Sequence, residues 1–285
     1  MTFALPGTTT ALMVVLALDT TTRTGSVAVV RDGHVLTERS GDPEIPHGRR
    51  LPGDAIAALS AAGLALADVN LYAVASGPGS FTGLRIGIAT VQGLAFAHQR
   101  QVVAISALDA LANVVLESGR RGSSHVGPGP CAPAGAGREA PPPQPEMSRP
   151  KSALVGVWMD AARGEVFSAL YETGATDQSE PLEREGPSVG SPDATLTRWD
   201  GWLRGRSVIF VGEGAARYAD RIDAALGDRA VVVAETPPIA ATIGRLALRR
   251  VGTAGPPHAV RPLYVRRPDA ELAREQRALS GKARG

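Results

Sequence analysis

The chain of 285 residues is poor in several residue types that mark particular kinds of protein. Its one cysteine, Cys131, excludes an intrachain disulfide and a cysteine-rich metal cage. Aromatic residues make up only 4% of the chain, so within a hydrophobic content of 44% the core must consist mainly of Ala, Val, Leu and Ile. With 30 basic and 28 acidic side chains, the net charge is +2, which excludes a dominant polybasic surface.

Paired histidines and long apolar runs are also missing. The five histidines form no His-x-x-x-His pair, so we expect no metal site and no cofactor. No stretch reaches the ~18 continuous apolar residues of a membrane span. The apolar run 12–18 has no basic region before it and no small-residue cleavage site after it, unlike a signal peptide. We therefore expect a cytoplasmic protein.

The most distinctive pattern is a glycine-rich loop at residues 76–87, which reads SGPGSFTGLRIG. It follows a short apolar run at 71–75, predicted as a strand, and precedes a proline-free helix predicted over 84–98. A helix start with free backbone N–H groups attracts anions, so the loop is a candidate phosphate site. A tight turn that only joins the strand to the helix explains the same spacing. The candidate phosphate-binding residues are Asp19, Gly77, Gly79, Ser80 and Thr82.

The helix predicted over 84–98 has few polar residues, and a helix that is apolar all round is buried on more than one face. One face can lie on a sheet, and the other must meet a neighbouring helix, in this chain or in a partner. A stripe of small residues that would admit such a helix comprises Gly83, Gly87, Thr90 and Ala97. The helix predicted over 47–62 is expected to share this surface. The candidate partner-interface residues are Arg85, Ile86, Ala89, Thr90, Gly93, Leu94, Ala97, Leu51, Ala55 and Ala58.

Strands alternate with helices along the chain, which predicts mixed sheets covered on both faces. A strand ending in Asp160, a turn and a returning strand repeat the unit that opens the chain and ends its first strand in Asp19, which suggests a duplicated α/β lobe. Residues 172–200 are predicted to be rich in loops. The expected domains are an N-terminal lobe at 13–118 with the partner-binding helices, a disordered Pro/Gly-rich insertion at 119–150, a C-terminal lobe at 151–267, and flexible tails at 1–12 and 268–285.

Five segments together closely resemble the TsaB (YeaZ) family: LALDTTTRTGSVAV, SGPGSFTGLRIGIATVQGLA, ISALDALA, DAARGEVFSALY and RPLYVRR. The resemblance implies an actin-like ATPase (ASKHA) fold with two mixed-sheet lobes. It also implies a non-catalytic subunit in the synthesis of threonylcarbamoyladenosine in tRNA. One departure is Ala162, which stands where the family usually carries an arginine directly after Asp-Ala.

The resemblance also implies partners. The N-terminal lobe helices would bind the catalytic relative TsaD, which carries a metal and transfers threonylcarbamoyl to the adenosine beside the anticodon of tRNAs that read ANN codons. An ATPase, TsaE, would join the pair, contact with tRNA would be indirect, and a homodimer would use the same surface. TsaD holds its metal with a His-x-x-x-His pair, whereas here His47 is followed by Leu51, so the second ligand is missing.

A small-molecule kinase or ATPase of the actin-like fold is the alternative. Asp19 and Asp160 would then hold a Mg²⁺-bound phosphate across a cleft. Both residues also end strands, where a carboxylate commonly bonds the N–H groups of the following turn, and we favour that interpretation. Glu213, in a second glycine loop, would place a carboxylate near any phosphate. Nucleotide binding by the isolated chain would distinguish the two functions.

Overall fold

The structure is a computed structural model that describes residues 12–118, 153–174 and 180–266. The predicted insertion and both predicted tails lie outside these residues, apart from Leu12, so the domain boundaries stay a prediction. None of the described helices is long and apolar enough to cross a membrane.

The first half of the chain forms a five-stranded sheet with the strand order β3-β2-β1-β4-β5. Strand β1 pairs antiparallel with β2 and parallel with β4, so the sheet is mixed as predicted. Its elements are β1 (Val14–Asp19), β2 (Ser26–Arg31), β3 (His34–Ser40), α1 (His47–Ala61), β4 (Leu71–Gly77), α2 (Phe81–Ala97), β5 (Gln101–Ser106) and α3 (Ala107–Ser118).

The second half forms another five-stranded sheet, with the order β10-β9-β6-β7-β8. Here too the first strand, β6, pairs antiparallel with the next strand and parallel with a later one. Its elements are β6 (Leu154–Asp160), β7 (Val166–Glu172), β8 (Leu182–Gly190), α4 (Pro192–Leu203), β9 (Val208–Val211), α5 (Glu213–Arg217), α6 (Ala219–Leu226), β10 (Ala230–Val232) and α7 (Ala240–Arg249).

Numbered within each lobe, both sheets have the strand order 3-2-1-4-5. In both, the first strand ends in an aspartate at the turn to its antiparallel neighbour, Asp19 in β1 and Asp160 in β6. The predicted α/β fold with two mixed-sheet, actin-like lobes is therefore confirmed.

The prediction that residues 172–200 are rich in loops is wrong, because this stretch contains β8 and most of α4. Strand β8 lies at the sheet edge with much of its surface exposed, so it needs no apolar run. Helix α4 begins at Ser191, whose hydroxyl accepts a hydrogen bond from the N–H of Ala194, with Pro192 in the first helical turn.

Helix α7 follows the second sheet in sequence but packs on the first sheet. A Cβ on its Gly244 would lie 2.7 Å from the Val30 side chain, and the N–H of Ala240 donates to the Ser26 hydroxyl at 3.1 Å. Helices α3 and α7 share one core with β1, β4 and β6, and α1 and α2 cover the opposite face of the first sheet. The first sheet is therefore covered on both sides, as its buried strands require.

Residues 255–266, which we call the C-terminal strap, return from α7 along both lobes. Gly255 pairs with Val102 of β5, and the N–H of Leu263 donates to the Ser76 carbonyl at 2.7 Å. Arg266 then donates to the Ala161 carbonyl at 2.8 Å, in the turn between β6 and β7. The strap therefore links the glycine-rich loop of the first lobe to the second lobe.

Candidate functional site

A cleft of about 800 Å³ lies between the two lobes. It is lined by the β1–β2 turn, the glycine-rich loop, the β6–β7 turn, the start of α5 and the end of the C-terminal strap. Asp160 and Glu213 reach this cleft, and Asp19 lines an adjoining cavity of about 180 Å³ that Glu213 also borders. The structure thus brings together the three carboxylates that the sequence singled out.

Asp19 is buried and holds its own turn. Its Oδ1 atom accepts hydrogen bonds from the Thr21 N–H at 2.9 Å and the Thr21 hydroxyl at 2.7 Å. Burial raises the pKa of the Asp19 carboxyl, and the bonds from Thr21 oppose that shift. This is the turn-stabilising role that we favoured for a strand-ending aspartate.

Two backbone N–H groups of the glycine-rich loop donate to other groups of the chain. The N–H of Ser80 donates to the Thr21 carbonyl at 2.8 Å, and the N–H of Gly83 donates to the Ser80 hydroxyl at 3.2 Å. A Cβ at Gly79 would lie 2.6 Å from Thr21, so this glycine permits the loop to approach the β1–β2 turn. Ser80 therefore caps the start of α2, and the loop packs closely against the β1–β2 turn.

Gly77 and Thr82 are the remaining residues of the predicted phosphate site. Gly77 has a φ of +116°, which favours glycine. A Cβ at this position would lie 2.9 Å from the carbonyl oxygen of Leu263, so the absence of a side chain leaves room for the strap. Thr82 is exposed in the first turn of α2 and lines neither of the two cavities. Of the five predicted residues, Gly79 and Ser80 line the larger cleft and Asp19 lines the smaller cavity, so phosphate binding at this loop stays a prediction.

The side of the cleft formed by the second lobe carries two carboxylates, those of Asp160 and Glu213. Glu213 has a raised pKa because it is partly buried and lies near the carboxylates of Asp160 and Asp19. The guanidinium of Arg217 is paired with Asp160 at 2.8 Å, so that cation is already engaged. Arg23 and Arg266 line the same cleft, so both carboxylates and guanidinium groups border it.

His47 is held by hydrogen bonds on both ring nitrogens. Its Nε2 lies 2.8 Å from the Thr22 carbonyl, and its Nδ1 lies 2.9 Å from a terminal nitrogen of Arg50. Nowhere in residues 12–118, 153–174 and 180–266 do three metal-binding side chains come together. His47 instead ties the start of α1 to the β1–β2 turn.

Sequence reasoning missed Arg50, which is buried although arginine is usually a surface residue. Its Nε donates to the Ile45 carbonyl at 3.1 Å, and its NH1 pairs with Asp54 at 2.7 Å. It also bonds the carbonyls of Arg23 and Thr24, so one side chain fixes α1 to a turn that borders the cleft. The i, i+4 spacing of Arg50 and Asp54 predicts an ion pair on a helix, but it gives no sign that Arg50 is buried.

The predicted partner interface is divided between surface and core. Leu51, Ala55 and Ala58 of α1 are buried in the core of the first lobe, so including them was wrong. They occupy the side of α1 that faces the sheet, while α1 exposes Ile56 on its outer side. In α2, Ile86, Thr90 and Leu94 are half-buried. The exposed residues spaced four apart, which we call the α2 ridge, are Phe81, Arg85, Ala89, Gly93 and Ala97.

The predicted small-residue stripe also proves to have two parts. A Cβ at Gly83 would lie 2.1 Å from the Thr20 carbonyl, and one at Gly87 would lie 2.2 Å from the Thr20 hydroxyl. These two glycines therefore pack against the end of β1, and the expectation that they admit a neighbouring helix is wrong. At Gly93 an added Cβ would meet nothing within 4 Å, so this part of the stripe is open surface.

Comparison with known proteins shows two kinds of similarity. A family model described as TsaD, tRNA N6-adenosine threonylcarbamoyltransferase, matches residues 44–139. The tRNA threonylcarbamoyladenosine biosynthesis protein TsaB of Escherichia coli is 39% identical over 100 residues, which are 35% of this chain and 43% of that protein. TsaB of Bacillus subtilis is 25% identical over 224 residues, 77% of this chain and 80% of that one. The matches to some curated relatives thus span less than half of their length.

A solved structure extends the similarity over the fold. YeaZ from Pseudomonas aeruginosa is 28% identical and superposes with a TM-score of 0.64, covering 88% of this chain and 99% of that one. Both lobes are therefore shared with that protein.

Proposed function

Because the chain belongs to the TsaB (YeaZ) family of tRNA threonylcarbamoyladenosine biosynthesis proteins, we propose that it is the non-catalytic subunit that binds and supports the transferase TsaD. TsaD transfers threonylcarbamoyl to the adenosine beside the anticodon of tRNAs that read ANN codons. The ATPase TsaE joins this pair, and the chain contacts tRNA only indirectly. Its role is to hold the transferase in a competent arrangement rather than to supply ligands for the reaction.

The observation that carries the proposal is the exposed apolar surface of α2. Along the α2 ridge only Arg85 is charged, and the neighbouring Phe96 is 80% exposed. Exposed apolar patches mark protein contacts, and rows of residues four apart form the ridges by which helices pack. Ala89, Gly93 and Ala97 would let a partner helix approach closely.

Three features of the cleft support a non-catalytic role. The glycine-rich loop bonds to Thr21, Glu213 places a carboxylate in the cleft, and His47 is held by Thr22 and Arg50. A kinase or ATPase would need donors and cations directed at the nucleotide. A homodimer through the same ridge would compete with TsaD, because one surface cannot serve both contacts at once.

The test is the affinity for the cognate TsaD, measured by calorimetry with Gly93→Arg and Ala97→Glu. Each substitution would bury an unpaired charge in the contact, so we expect binding to weaken by several kcal/mol. The melting temperature should change little, since a side chain at position 93 points into open space. If Gly93→Arg binds TsaD at full strength, the partner surface lies elsewhere.

A matched control is Gly201→Arg in α4 of the second lobe. Position 201 is also an exposed helical glycine whose Cβ would meet nothing within 4 Å. The control carries the same change of size and charge on another surface, so its affinity for TsaD should equal that of the unmodified chain.

A further inference from the structure

Exposed aromatic residues are rare in this chain, yet two of them stack together at one end of the α2 ridge. Among the described aromatic residues only Phe81, Phe96 and Tyr264 are exposed. The rings of Phe81 and Tyr264 lie 5.3 Å apart at an angle of 28°. Tyr264 belongs to the C-terminal strap, so the stack joins α2 to a segment that is remote in sequence.

Arg85 completes a cluster with these two rings. Its guanidinium carbon lies 4.0 Å from the centre of the Phe81 ring, and its Nε donates to the Tyr264 hydroxyl at 3.1 Å. In the described part of the chain, the terminal nitrogens of Arg85 make no hydrogen bond or ion pair. A planar guanidinium held in this way is prepared to bind a carboxylate with two parallel bonds. The cluster therefore presents a fixed cation beside exposed aromatic surface.

The strap fixes this cluster relative to both lobes. On one side of Tyr264, Leu263 bonds to Ser76 of the first lobe, and on the other, Arg266 bonds to Ala161 of the second. A side chain that is already ordered loses little entropy when a partner binds to it. Arginine and tyrosine are also the residue types that contribute most to binding energy in protein contacts.

We propose that the docking surface for the partner subunit extends from the α2 ridge onto the cluster of Phe81, Arg85 and Tyr264. The partner would present a helix whose apolar side packs on Ala89 and Gly93 and whose acidic side chain pairs with Arg85. This inference rests on the proposed function and adds the chemistry of the partner. A protein is favoured over an RNA base because Arg85 and Tyr264 already pack on the Phe81 ring.

The experiment measures the dissociation constant for TsaD with Arg85→Glu, Arg85→Gln and Tyr264→Ala. We expect a loss of roughly 30-fold or more for Arg85→Glu and Tyr264→Ala, the size of an important interface residue, and a smaller loss for Arg85→Gln. Binding by the unmodified chain should weaken with added salt, and Arg85→Gln should reduce that dependence. Arg204→Glu is the control, because Arg204 is an exposed arginine that directly follows α4 in the second lobe.

The outcomes separate this inference from the proposed function. If Gly93→Arg abolishes binding while Arg85→Glu and Tyr264→Ala leave it unchanged, the inference is wrong and the proposed function stands. If none of the three weakens binding, both fail. If Tyr264→Ala leaves the affinity for TsaD intact but reduces crosslinking of tRNA to the assembled complex, the cluster contacts RNA and the inference is overturned. Arg85 is exposed, so its variants test the inference even if Tyr264→Ala fails to fold.

Discussion

Gly83 of α2 lies so close to Thr20 that a Cβ at position 83 would be 2.1 Å from the Thr20 carbonyl oxygen. Backbone at the end of β1 must move to admit any larger side chain. We therefore expect Gly83→Ala to lower the free energy of unfolding by about 1–3 kcal/mol, as overpacking usually does. Denaturant unfolding of the purified chain measures this change.

Gly93→Ala is the control on the same helix. Position 93 is open, so the substitution should follow helix propensity alone and raise the free energy of unfolding by about 1 kcal/mol. Equal effects of the two substitutions would contradict the close approach of Gly83 to Thr20.

Arg50 and Arg204 allow a second matched comparison, since each pairs with an aspartate four residues away, Asp54 after Arg50 and Asp200 before Arg204. The Arg50 side chain is 6% exposed and that of Arg204 is 78% exposed. Arg50→Met would leave Asp54 and the carbonyls of Ile45 and Thr24 without their partner, so we expect a loss of about 3 kcal/mol. Arg204→Met should change the free energy of unfolding far less, because an exposed ion pair contributes little to stability. Chemical denaturation of both variants measures these free energies of unfolding. A small loss of stability for Arg50→Met would contradict the role of Arg50 in fixing α1 to the β1–β2 turn.

The raised pKa of Glu213 leads us to expect that the stability of the chain depends on pH. Its pKa is raised in the folded chain, mainly by burial and then by Asp160 and Asp19, so the folded state holds this proton more tightly than the unfolded state. The contribution of Glu213 to stability is therefore fully present below the ordinary pKa of 4.5 and is lost as the pH rises through the folded-state value. Glu213→Gln should remove this loss.

Calorimetric melting from pH 4 to pH 8 checks the prediction. The melting temperature of Glu213→Gln relative to the unmodified chain should rise with pH. Glu235→Gln is an exposed control that should show no such trend. A difference that stays constant over this range would contradict the raised pKa of Glu213.

The local elements of the fold were predictable because their signals lie in continuous sequence. The strand, glycine-rich loop and helix at 71–98 follow from an apolar run, a cluster of glycines and a proline-free stretch. The repeated strand–aspartate–turn unit predicted the second lobe. Helix α4 could also have been found from Ser191, Pro192 and Asp193, which form a typical helix start.

What the sequence did not show depends on contacts between distant residues. Nothing near Gly83 indicates that its neighbour is Thr20 rather than a partner helix, and nothing near Arg50 indicates burial. Tyr264 meets Phe81 only because the strap returns across the cleft. Leu51, Ala55 and Ala58 were misplaced because small and apolar residues suit a core and an interface equally well.

The last prediction concerns nucleotide binding, which separates the proposed subunit from a kinase or ATPase. Two N–H groups at the start of α2 are bonded to Thr21 and Ser80, and the carboxylates of Asp160 and Glu213 line the cleft. We therefore expect no saturable binding of Mg²⁺-ATP to the isolated chain at millimolar concentration, measured by calorimetry. Saturable binding that Asp19→Asn weakens would favour the kinase or ATPase alternative, because that carboxylate would then be holding the metal-bound phosphate.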